Sequence, residues 1–241
     1  MRQSIFNKNT LRRFFLLVGI GLIFIGDIYA LSPVTHIKSD HEVVVLIHGL
    51  MRSSRSMTPL KSSLEQNGYR VYYYNYHSAR YTILEHGIAL NHYIDNLLEK
   101  NSGIKIHFIT HSLGGIIVRE ALSKRSKKQL KNIGYLIMLA PPNQGSELAT
   151  LSTKLFPLIT SSIKPLAELG SEKQSYVHHI PVPPIKIGII AGRYDAKVPP
   201  LAAGLPGLPP PVIVNTNHTF IMSNARTKEL VLNFLENGRF D

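Results

Sequence analysis

The sequence predicts an α/β fold: a doubly wound, mostly parallel sheet carrying a small helical cap. Three observations lead there. Short apolar runs alternate with longer amphipathic stretches, the pattern of strands joined by crossover helices. One junction, 104–122, reads as strand, tight turn and helix without interruption. No internal repeat or low-complexity tract competes with a single layered core, and 241 residues with 44% hydrophobic content are enough to bury one.

In chain order, strands are expected at 43–47, 70–74, 104–109, 133–139, 187–191 and 212–215. Tyr72-Tyr73-Tyr74-Asn75-Tyr76 reads as a buried strand with a polar exit rather than a ligand platform. Crossover helices are expected at 56–66, 82–99 and 115–124, and a last helix at 227–236. In that last helix Leu230, Val231, Phe234 and Leu235 share one face, and Gly238 suits its end. The segment 146–184 holds no strand signal. Leu148, Leu151, Leu155 and Leu158 recur there at helical spacing, while Pro157 and Pro165 divide it into short pieces. The stripe reads either as core packing or as a cap. The Pro/Gly-rich loop 205–211 is too short to separate domains, so 42–241 is expected to be one domain.

The junction centres on Thr110-His111-Ser112-Leu113-Gly114-Gly115. A serine on a tight strand-to-helix turn is lifted out of the sheet with its hydroxyl exposed. Two glycines fit where strand and helix backbones pass close together. The free N–H groups of a helix N-terminus suit an anion forming on a substrate. Ser112 is therefore the candidate nucleophile; the competing reading is a serine in an ordinary Gly-rich turn.

A serine nucleophile needs a base, and the base an orienting acid. After His179 the only histidine is His218, and between positions 173 and 228 the only acidic residue is Asp195. Each follows an expected strand. The chain order is Ser112, Asp195, His218.

That order is the order of α/β-hydrolases. Val45-Leu46-Ile47-His48-Gly49-Leu50, Thr110-His111-Ser112-Leu113-Gly114-Gly115 and Leu139-Ala140-Pro141-Pro142-Asn143-Gln144-Gly145-Ser146 together resemble bacterial triacylglycerol lipases and esterases of that superfamily. The similarity runs from about Glu42 to the C-terminus. Thr110 departs from the usual glycine at the head of the pentapeptide, and the proline-rich stretch between Asp195 and His218 is unusual. The resemblance implies ester hydrolysis with no cofactor. It implies an oxyanion hole made by the backbone N–H groups of Leu50 and Leu113, two fixed donors worth ~3–4 kcal/mol each. It also places a helical cap at 146–184. His48 is read as structural, and His111 as packing or shaping the pocket.

There are no cysteines, which excludes disulfides, thiol catalysis and Cys-based metal sites. His178-His179 is a poor metal pair, because adjacent histidines do not converge easily on one ion. Residues 1–30 have the layout of a signal peptide: Arg2, Lys8, Arg12 and Arg13, then an apolar run over 14–25, then Asp27. That run is short of the ~20 residues a membrane-spanning helix needs. Export is the expectation, with an uncleaved anchor as the alternative.

The net charge is +12, and residues beyond 30 hold 23 basic against 14 acidic side chains. A basic surface favours anionic partners such as a phospholipid membrane. The run Lys124–Lys131 is expected to end the helix that follows Ser112, and no nucleic-acid motif accompanies it. The sequence assigns no oligomeric state. The reading that results is a serine hydrolase of carboxylic esters, most simply lipid-like ones. The alternatives are an acyltransferase or thioesterase with the same triad, and a catalytically idle fold serving as a binding module at a membrane.

Overall fold

A computed structural model of the chain describes residues 41–241; the expected leader at 1–30 lies outside the described residues. Six strands form one sheet in the order β2-β1-β3-β4-β5-β6. They are β1 (Glu42–Ile47), β2 (Arg70–Tyr74), β3 (Lys105–His111), β4 (Ile133–Leu139), β5 (Ile187–Gly192) and β6 (Val212–Val214). Every neighbouring pair is parallel, where a mostly parallel sheet was expected. Buried on two faces, such strands read as continuous apolar runs rather than alternating ones, which is why β1 is Glu-Val-Val-Val-Leu-Ile.

Successive residues of β1 feed different layers. Val43, Val45 and Ile47 join one apolar cluster with Phe108, Leu136 and Met138. Helices α2 (Ile83–Lys100) and α3 (Leu113–Ser123) complete it through residues such as Leu90, Ile94, Ile117 and Val118. Val44 and Leu46 join the other, with Ile109, Ile137 and Ile190. Its helices are α1 (Thr58–Gln66), through Leu60 and Leu64, and the C-terminal α9 (Ala225–Asn237), through Leu230, Val231 and Phe234. Gly238 closes α9 in the left-handed conformation, φ 67°, where a residue with a β-carbon is strained. Helix α2 opens on a reciprocal cap between Thr82 and Glu85.

The remaining helices are short: α4 (Lys127–Leu130), α5 (Glu147–Leu155), α6 (Pro157–Thr160), α7 (Lys164–Glu168) and α8 (Pro200–Ala203). The basic run departs from expectation. Helix α3 stops at Ser123, and Ser126 caps a separate helix α4 inside the run. Arg125 turns inward to Asn91 and Asp95 on α2, so only part of the run is a solvated helix end. Among the described residues no helix is long and apolar enough to cross a membrane.

Of the five histidines buried among the described residues, His48, His86, His107, His111 and His218, three are displaced furthest: His86, His107 and His111. Burial, which disfavours the charged ring, is the main cause that lowers them from 6.5 to about 4, about 4 and about 3 respectively. The unfolded chain thus binds protons below ~6.5 that the folded chain does not, and stability rises with pH across that window. It is complete above 6.5 and is lost as pH falls towards 4. The urea midpoint of unfolding is expected to drop steadily from pH 6.5 to pH 4; a flat profile would show that the rings are accessible to protons.

Candidate active site

In an open α/β sheet, ligands bind where the strand order reverses, beyond the strands' C-terminal ends. Here the reversal falls between β1 and β3. Ser112 lies at that place. It is the single residue between the last residue of β3 and the first of α3, with φ 52° and ψ −124°. The turn is thus tighter than expected: the strand runs two residues beyond 109, and the helix starts two before 115. A positive φ at a residue bearing a β-carbon costs ~1–3 kcal/mol, and it persists only where the surroundings enforce it. The Ser112 N–H donates to the Leu139 carbonyl at 2.9 Å, and the Ser112 carbonyl accepts from Gly115 at 3.0 Å.

The glycines are steric requirements. A β-carbon on Gly114 would sit 2.7 Å from the Ile47 carbonyl oxygen and 2.8 Å from that of His48. One on Gly115 would sit 2.6 Å from Met138 and 3.0 Å from Thr110 Oγ1. Thr110, the departure at the head of the pentapeptide, lies inside β3 and is fully buried.

Asp195 and His218 meet because the β5–β6 pairing continues past both strands. Arg193 N–H donates to the Val214 carbonyl at 2.8 Å and Tyr194 N–H to the Thr216 carbonyl at 3.0 Å. His218 Nδ1 then donates to Asp195 Oδ2 at 2.7 Å. The other carboxylate oxygen accepts from the N–H groups of Lys197 at 2.9 Å and Val198 at 2.8 Å. The Asp195 side chain is wholly buried. On the histidine loop, Asn217 Oδ1 accepts from the N–H groups of Thr219 and Phe220, which fixes the turn. Ser112, His111 and His218 line one cavity of about 300 Å³, together with Leu50.

Leu113 opens α3, so its N–H has no acceptor within the helix. Leu50 lies on the loop after β1, beside Met51 at φ 53°. That loop is braced from the segment after β2. Tyr76 Oη donates to the His48 carbonyl at 2.7 Å, and Ser78 Oγ accepts from Met51 N–H at 2.9 Å. His48 is engaged locally: its Nδ1 meets the Gly49 carbonyl at 2.9 Å, and its ring stacks on Tyr76 with ring centres 4.4 Å apart. The end of the tyrosine-rich strand therefore anchors this loop, a role that only spatial proximity reveals. His111 does more than pack. Its Nε2 donates to the His218 carbonyl at 2.9 Å, and the two rings lie 4.7 Å apart. Its depressed protonation keeps it a neutral donor there.

The Pro-Pro-Asn-Gln-Gly-Ser stretch ties the exit of β4 to the acid loop. Asn143 Nδ2 donates to Ala203 at 2.7 Å, and Ser146 Oγ to the Lys197 carbonyl at 2.9 Å. The buried Arg119 of α3 adds bonds to Asn143 Oδ1 and to the Ile180 carbonyl. Beyond Ser146 the helical cap forms, and α5 and α7 contribute Leu148, Ser152 and Leu166 to the wall of the Ser112 cavity. The leucine stripe does not pack into the core: exposure rises from 45% at Leu148 to 90% at Leu158. Glu168 Oε2 accepts from the Ile83 N–H at 2.8 Å, which pins α7 to the start of α2.

Among the described residues no group of three metal-ligating side chains converges. A larger hollow, about 950 Å³, opens where β1, β3 and β4 begin, near Glu42, Lys105 and Ile133. None of the three site residues lines it, and volume alone does not make it the site.

Sheet, turn and cap define an α/β-hydrolase of the lipase and esterase kind. The chain belongs to the family described as "Putative serine esterase (DUF676)", whose family model matches residues 36–158. It is a serine hydrolase of carboxylic esters. The fold is shared with Bacillus licheniformis lipase BlEst2 in its mature form, at a TM-score of 0.67 and 19% identity over 85% of this chain and 95% of that one. The metagenomic carboxyl esterase MGS0156 matches at 0.59 and 16% identity over 76% and 66%. Aspergillus fumigatus lipase B matches at 0.61 and 13% identity over 84% and 54%.

Proposed function

We propose that the protein cleaves lipid-like carboxylic esters through a Ser112–His218–Asp195 triad and an acyl-enzyme. Ser112 attacks the acyl carbon. His218 takes its proton and later delivers one to the leaving alcohol. Asp195 holds the ring so that Nε2 is the basic nitrogen, and stabilises the cation that forms. The Leu50 and Leu113 N–H groups receive the negative charge of the tetrahedral intermediate. Water then releases the acid. The observation that carries this reading is the 2.7 Å bond between Asp195 and His218 at a cavity that Ser112 also lines. Leu148, Leu166 and Leu169 on its wall suit an acyl chain. A fluorophosphonate probe tests it. Covalent labelling at Ser112 supports the enzyme, and folded protein that resists the probe overturns it.

The protein is also proposed to leave the cytoplasm through its first 30 residues. The support is the basic start and the apolar run at 14–25. N-terminal sequencing of exported protein is expected to begin near Leu31. Recovery of Met1 on membranes would establish the anchor instead, and retention in the cytoplasm would exclude both.

A further inference from the structure

The cavity beside Ser112 is amphipathic in a way that ester cleavage alone does not require. Its apolar part is built by leucines of the cap, yet it is also lined by two cations, Arg52 and Lys197, and by no carboxylate. The nearby Asp195 carboxylate is already engaged by His218 and by two backbone N–H groups.

Arg52 is the better placed cation. Its guanidinium donates to Thr219 Oγ1 at 3.1 Å, one residue past His218. His218 is the group assigned above to protonate the leaving alcohol, so Arg52 stands on the alcohol's side of the reaction. Arg52 also lines a second hollow, about 580 Å³, with Asn75, His77, Ser78 and Arg80. That hollow too is lined by no carboxylate. Two adjoining cavities thus share Arg52, and a second arginine, Arg80, lines one of them. The charge is felt at the site: after burial and the His218 ring, Arg52 and Lys197 add to what holds His111 neutral.

We propose that the ester cleaved at Ser112 bears an anionic group, a phosphate or a carboxylate, on its alcohol portion, and that Arg52 holds it with Arg80 and Lys197 as flanking charges. The inference rests on the serine esterase reading above. A guanidinium suits such a group because its planar fork donates two parallel hydrogen bonds to it. The arginine is solvent-exposed, so the gain is modest, about tenfold in kcat/KM, and it weakens as salt screens the pair.

The test compares 1-butyrylglycerol with its 3-phosphate, which share acyl chain and glycerol and stay monomeric, so that attraction of a basic protein to a charged surface plays no part. The wild-type enzyme is expected to prefer the phosphorylated ester about tenfold. Arg52→Gln should bring the ratio close to one, and Arg52→Lys should restore part of it. Inorganic phosphate should compete with the phosphorylated ester in the wild type and lose that effect in Arg52→Gln. Equal turnover of the two esters overturns the inference and leaves the esterase reading intact. A preference that survives Arg52→Gln, or one seen only with micelles of an anionic lipid, overturns it as well, the latter assigning the effect to the protein's outer surface. Failure to cleave either ester together with failure to take the fluorophosphonate overturns both readings.

Discussion

Ser112→Ala and His218→Ala are each expected to lower kcat on an ester such as p-nitrophenyl butyrate by on the order of 10⁶, with little change in folding. The attack needs both groups: without the hydroxyl there is no acyl-enzyme, and without the imidazole the hydroxyl keeps its proton. Ser112 sits at φ 52°, a conformation that alanine meets with the same strain, so the elbow should survive its replacement. His218→Ala keeps the bond from His111, which goes to the backbone carbonyl of residue 218, and removes the ring's donation to Asp195 Oδ2, whose carboxylate keeps its two backbone N–H donors. The double variant should be scarcely slower than either single, because the residues act as one unit. Multiplicative losses, or one single variant that keeps full activity with unchanged melting temperature, would overturn the assignment.

Asp195→Asn should cost on the order of 10⁴ in kcat and leave KM nearly unchanged. The carboxylate has two distinct jobs in the structure. Oδ1 accepts from Lys197 and Val198, and Oδ2 accepts from the ring of His218. Asparagine keeps the first by placing its carbonyl there, which leaves its NH₂ group against Nδ1. That arrangement favours a ring protonated at Nε2, the nitrogen that must accept the serine proton. Two of the three carboxylates of the cap region are committed elsewhere: Glu168 to the Ile83 N–H and Glu172 to Lys154. If Glu147, Glu168 or Glu172 proved essential and Asp195 dispensable, the acid would lie on the cap.

How much of this was legible before folding depends on the range of the interaction. The strand-turn-helix around Ser112 was readable because it is local: an apolar run, a serine and two glycines suffice. Its helix starts earlier than the expected 115 because Leu113 and Gly114 look like turn residues. Gly114 and Gly115 are both helical, and they are glycines because Ile47 on β1, His48 just after it and Met138 on β4 crowd them. The basic run departs from expectation for a similar reason: nothing in its sequence shows that Arg125, between α3 and α4, meets Asp95 on α2.

The sequence by itself determined the α/β class, the order Ser112, Asp195, His218, and the short list of residues able to fill each role. Apolar runs of strand length, and an interval with one acid and one histidine, are one-dimensional facts. Only the tertiary structure decided what surrounds them. The pairing of β5 with β6 sets Asp195 on His218, His111 supports the histidine loop, and Tyr76 and Ser78 brace the loop after β1. The leucine stripe of the cap faces solvent rather than core. Helical spacing cannot show that outcome, because the same stripe fits either and the choice lies with what packs against it.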